Sequence, residues 1–374
     1  MSFSASGPRP DDPPVPAAAP VPAAVPAPTR QPLPPHAVPP PSQPPRSERP
    51  RTGRRRAAAA PGTGGAVAML AVTLAAALVP LLGPGTALHG TGEGSGPGAG
   101  TVALLRTVMF LALSVHLGGL ATAHWARRTP GAPDGPLPAA WPVAASAAGL
   151  AAAFGLASIV STGNLLPQQW ADLDLGGLYR TRDGLLALIE VNAFAAAALC
   201  ATTRRPGSAT LPLAAVIVAE ALRAHPEMHS PLVGSAMTLL HLSCAALWTG
   251  GLLHVVRTVR QWRRRAPRAA AALLGRYARV ALGLFAVLTA TGIVSTLRRL
   301  PPDAVTSTAY GRTLTAKLLL VGVVAVLALL ARRRLHTASD PASALVPART
   351  ENLVLVVVVA LSALLTAVPV PVFW

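Results

Sequence analysis

Three side chains between residues 232 and 256 have the types and the spacing to handle a soft metal. Met237, His241 and Cys244 stand at i, i+4 and i+7. On a helix this spacing aligns a thioether, an imidazole and a thiol along one face over about 10 Å. These are the ligand types that suit Cu(I). Met109 and His116 repeat the i, i+7 relation further up the chain, and His225, Met228 and His229 crowd the segment just ahead of residue 232. Together these eight residues form a candidate metal-ligand set, with His241 and the 225–229 segment its strongest members. Taken one at a time each has a plainer reading, since a buried histidine more often bonds a carbonyl and a Met or Cys often fills a gap. Glu190 and Glu220 add a candidate polar pathway, because ionisable groups inside apolar helices are costly and mark function by default.

The elements that must position these groups are apolar and long. Of 374 residues, 52% are hydrophobic and 12% are charged, a balance that would leave a water-soluble domain with large exposed apolar patches. Apolar stretches recur at 66–83, 102–125, 139–162, 184–202, 209–223, 232–256, 277–297, 313–331 and 352–372, most of them long enough to cross roughly 30 Å of hydrocarbon as a helix. The sequence therefore predicts an all-α polytopic membrane protein of about nine transmembrane helices. Residues 1–60, dominated by Pro and Ala, cannot bury enough surface to offset chain entropy and are expected to form a disordered cytoplasmic tail. A cleaved export signal ending before Gly90 is the competing reading of the first stretch.

Charge sets the expected orientation. The net charge of +18 could suggest nucleic acid, but the arginines sit in short clusters between apolar runs, which is a topology signal. Arg54–Arg56, Arg127–Arg128, Arg204–Arg205, the cluster from Arg257 to Arg268, and Arg332–Arg334 mark every alternate loop. Those loops are assigned to the cytoplasm, which places the N-terminus inside, the C-terminus outside and the candidate ligands in the outer half. Lys317 and Arg312 are expected to snorkel to the outer interface, and His124 and His254 to cap helices or face water. Cys200 and Cys244 both lie in apolar runs, so neither marks a redox compartment.

The chain resembles itself at an offset of about 132 residues. Gly118-Gly119-Leu120 matches Gly250-Gly251-Leu252, and Ile159-Val160-Ser161-Thr162 matches Ile293-Val294-Ser295-Thr296. This pattern predicts a first helix with its loop (61–100) followed by two parallel four-helix repeats, 101–231 and 232–374, with a site between them. For the glycines themselves, close helix packing at Gly-Gly is the favoured reading.

Several of these stretches resemble the copper resistance protein D (CopD) family of membrane proteins. Residues 241–252, HLSCAALWTGGL, are similar to the family's "HLLAAALWVGGL" helix, with Trp248, Gly250 and Gly251 in matching places. Arg276 to Arg279 resembles "RFSR", Thr291-Gly292 its "TG", and residues 308–318, with Tyr310, Gly311, Arg312 and Lys317, its "TxYGRLLLxKL" helix start. Glu351-Asn352-Leu353 looks like its "ELxLG" start. The resemblance covers about 240–372 and implies copper transport or copper homeostasis at the bacterial cytoplasmic membrane. It also implies a copper ion as cargo or bound metal and an extracytoplasmic CopC-type partner.

Nothing in the sequence forms a nucleotide loop, a Ser/His/Asp arrangement or an HExxH helix, and no enzymatic activity or nucleic-acid partner is expected. Two rival functions remain at this level. A haem-binding electron carrier would use His116 and His241 as axial ligands, though they lie about 14 and 9 residues into their stretches and so at unequal depth. A non-transporting assembly or sensor protein would bind partners through its Pro-rich tail.

Overall fold

A computed structural model describes residues 63–371, apart from residues 95, 97, 164–168, 170–173, 224–229 and 338–344. All regular structure among the described residues is helical. Every one of the nine expected apolar stretches falls on a helix: α1 (Thr63–Leu88), α2 (Ala99–Arg127), α3 (Pro142–Thr162), α5 (Arg182–Thr202), α6 (Thr210–Arg223), α7 (Pro231–Trp262), α8 (Pro267–Arg299), α10 (Ala309–Thr337) and α11 (Leu345–Leu365). Three short helices complete the set, α4 (Leu175–Arg180), a single 3-10 turn (Pro206–Ala209) and α9 (Ala304–Ser307). Seven of these helices are long and apolar enough to cross a membrane. Of the other two among the nine, α1 has 26 residues, whereas α6 has 14, which at about 1.5 Å per residue spans roughly 21 Å, less than the roughly 30 Å of a hydrocarbon core.

Local sequence explains the helix ends. Pro142, Pro231 and Pro267 occupy first positions, where a missing N–H costs nothing. Thr181 caps α5 by accepting from the Gly184 N–H at 3.1 Å, and Gly163 closes α3 in the left-handed region at φ 75°. The last stretch runs earlier than expected, ending at Leu365 rather than 372, because Pro369 cannot continue a helix.

Two apolar cores flank the central crossing of α2 and α7. One gathers Met109, Leu113, Phe194 and Leu213 from α2, α5 and α6. The other gathers Trp248, Leu273, Tyr277 and Leu355 from α7, α8 and α11. Gly118 and Gly250 meet where α2 and α7 cross, while α6 packs on α7 and α11 on α2. The α1 helix lies against α11 and α2. On α8 and α10, leucines such as Leu297, Leu318 and Leu319 point outward. That pattern suits helices solvated by lipid, where a bare apolar face carries no penalty.

Candidate functional site

The α7 helix contributes two of its three expected ligands to one cavity. Met237 and His241 line a space of about 190 Å³ enclosed by α7, α8, α10 and α11, with Ser114 of α2 and Glu220 of α6 on its rim. The Nδ1 of His241 lies 2.9 Å from Thr291 Oγ1 on α8. That hydroxyl donates to the Val287 carbonyl at 2.8 Å, so its oxygen is left to accept. Nδ1 is therefore the protonated nitrogen and Nε2 keeps its lone pair. Among the described residues nothing else bonds His241. A helix hydroxyl thus fixes the tautomer and ring orientation a metal ligand needs.

Two further cavities continue along α7. One of about 280 Å³ is lined by His241, Thr249, Lys317, Trp248 and Phe285. Another, of about 170 Å³, is lined by Trp248, Phe285, Tyr277, Arg332 and Glu351. Trp248 and Phe285 border both, in an edge-to-face pair with centroids 5.5 Å apart and planes at 79°. Trp248 is fixed from two sides. Its Nε1 donates to Glu351 Oε1 at 3.2 Å, and its carbonyl accepts from Tyr277 OH at 2.8 Å. The aromatic pair lies between the cavity that His241 lines and the one that Glu351 lines, both open toward exposed side chains such as Leu318 and Leu329.

The other expected ligands are not gathered here. Cys244 is half-buried and does not line these cavities. The cavity side of α7 runs through Thr238, His241, Leu242 and Ala245, and a seven-residue step drifts about 20° off that side. Met109 is fully enclosed in the apolar core. His116 is buried, with Nδ1 2.8 Å from Ser146 Oγ on α3 and Nε2 without a partner. His116 does not line either of the two cavities that His241 lines. His225, Met228 and His229 lie outside the described residues. Among the described residues no cluster of three or more His, Cys, Asp or Glu side chains could hold a metal.

Glu190 and Glu220 converge on Arg223. Its Nη1 lies 2.9 Å from Glu190 Oε2 and 2.8 Å from Glu220 Oε1. Arg223 stands at i, i+3 from Glu220 on α6, a spacing visible in the sequence, whereas its contact with Glu190 is not. Two other expectations are corrected. Lys317, expected to snorkel outward, lines the cavities beside His241, because α10 turns that face toward α7. His254 is buried and donates from Nε2 to the Val115 carbonyl at 2.9 Å, tying α7 to α2 rather than facing water. His124 is exposed, as expected. Arg312 is exposed and donates to the carbonyls of Thr306 and His89 at 3.0 and 2.8 Å. Gly311 lies against the Ala304 and Val305 carbonyls, where a side chain would clash. Tyr310 borders the His241 cavity. Thr291, whose partner is 50 residues away, carried no sequence signal of its contact with His241.

Comparison with known proteins gives one result. Residues 271–368 match a family model described as Copper resistance protein D, CopD, a span that includes most of α8, all of α10 and α11. No curated protein and no solved structure matches the chain.

Proposed function

We propose that this chain, which belongs to the copper resistance protein D family through its residues 271–368, carries copper through the membrane along α7. The observation that supports this reading most directly is that Met237 and His241 line one cavity, with Thr291 turning the imidazole so that Nε2 is free to bind. A thioether and an imidazole together favour Cu(I) and hold it weakly enough to let it go, which passage requires. Copper is the substrate in this reading. It enters at the Pro231 end of α7, meets Met237 and then His241, and reaches the Glu351 cavity past Trp248 and Phe285.

The Arg-rich alternate loops support an inner-membrane orientation with the N-terminus in the cytoplasm and the Pro231 end of α7 outside. In that orientation a CopC-type protein on the outer side delivers the ion. The exchange of partners between the halves, α6 on α7 and α11 on α2, supports the reading of two parallel four-helix repeats about the Gly118–Gly250 crossing, with α1 outside them and nine crossings in all.

Copper accumulation in cells expressing equal amounts of inserted protein tests this. His241→Ala should abolish copper-dependent accumulation or tolerance, and Met237→Leu, which keeps volume but removes the sulfur, should weaken it. Parent-like copper uptake in both variants would overturn the proposal.

A further inference from the structure

The buried cluster of Glu190, Arg223 and Glu220 holds two carboxylates against one guanidinium. The three side chains are 0%, 11% and 4% exposed. Both carboxylates bond the same nitrogen, Nη1, which leaves Glu190 Oε1 and Arg223 Nε and Nη2 buried without partners. If both acids were ionised, the cluster would carry one excess negative charge where water cannot screen it. Other charges nearby do not remove it. Asp183, at the start of α5, acts on Arg223 with the same sign as the two glutamates. Arg182 is spent on the Leu222 carbonyl at 2.8 Å, Arg180 on α4 is exposed, and α3 brings no charged side chain at all. Lys317 lines the cavity that Glu220 also lines but forms no ion pair with these acids among the described residues, and Arg299, on the same cavity, has interactions of its own. A metal cation is a poor neutraliser, because two of the three unpartnered atoms are N–H donors of a guanidinium, which repels a cation.

We propose that Glu190 and Glu220, bridged by Arg223, form a proton-binding site that holds one shared proton and exchanges it through the cavity lined by Met237 and His241. Two acids that share one counter-charge in a low dielectric do not both ionise. Glu220 is the exchanging member, because it lines the cavity while Glu190 lies behind it. Resting on the copper reading above, the proton also becomes a coupling device. A Cu(I) ion entering beside Met237 and His241 adds one positive charge, and one proton leaves the carboxyl pair for cavity water, so charge balances.

The experiment is infrared spectroscopy of the full chain in lipid nanodiscs at neutral pH, in H2O and after transfer to D2O. The parent should show the carbonyl stretch of a protonated carboxylic acid, shifting in D2O within the dead time of exchange. Glu190→Gln and Glu220→Gln should each remove it while leaving the fold intact, since a neutral amide replaces an acid in a pair that is already half neutral. A parent without this band, a band that survives in both variants or fails to shift in D2O, or a loss of folding in both would overturn the site. Cu(I) loading should then remove the band in the parent. Copper bound with the band unchanged overturns the coupling. If no copper binds at all, the copper reading fails and the proton site is judged by its band alone.

Discussion

Gly118 of α2 and Gly250 of α7 face each other where the two helices cross, so close that a methyl group on Gly118 would overlap the Gly250 backbone and one on Gly250 would overlap the Ser114 carbonyl a turn earlier on α2. Helix association in lipid gains from such contacts, because hydrocarbon offers no hydrophobic drive and close backbone approach supplies the dispersion energy. The Met237–His241 face is held in place by this crossing.

The first prediction follows from that contact. Gly250→Ala and Gly118→Ala should each destabilise the bundle by about 1–3 kcal/mol or more through overpacking. Gly275→Ala on α8, where a methyl meets open space, should be neutral. The fraction of protein that stays monodisperse in detergent after a heating series measures this, and equal melting of all three would refute it.

A second prediction separates ligands from packing. Met109→Leu conserves volume in a closed core and should cost less than about 1.5 kcal/mol without changing copper uptake. Cys244→Ala, off the cavity side of α7, should likewise leave uptake unchanged. Copper accumulation at matched expression decides, and a loss in either variant as large as that of Met237→Leu would mean that the path does not follow the cavities.

The third concerns the aromatic pair. Glu351→Leu removes the acceptor of the Trp248 indole N–H and should cost about 1–3 kcal/mol for the buried donor left behind, whereas Glu351→Gln retains an acceptor and should cost less. Trp248→Ala would join the cavities of about 280 and 170 Å³. In proteoliposomes it should raise passive ion leak over the parent, and an unchanged leak would show that Trp248 is only packing.

Topology supplies the fourth. A reporter fused after Arg264 should be active only in the cytoplasm and one after Ser95 only outside, as the arginine asymmetry requires. The reverse pattern would invert the direction from which the ion reaches Met237.

The existence and order of the helices were legible in the sequence because apolar run length is a local quantity, whereas their ends were not: the last stretch was read through Pro369 to 372, and the helix begun at Pro267 starts ten residues before its apolar run. The i, i+4 relation of Met237 and His241 was local in the same way and carried through to a shared cavity. The azimuth of each helix about its own axis was not local. In water the polar face of a helix marks its rotation, but in lipid both the buried and the solvated faces are apolar, so hydropathy carries little rotational signal. For that reason the sequence set Cys244 beside His241 and turned Lys317 to an interface, while packing moved Cys244 off the cavity and Lys317 into it. Pairings across the chain were equally hidden. The tautomer of His241 depends on Thr291, and the charge balance of Glu190 depends on Arg223, 33 residues away. Only the tertiary structure could decide these, because each requires two helices to meet at one depth and one rotation.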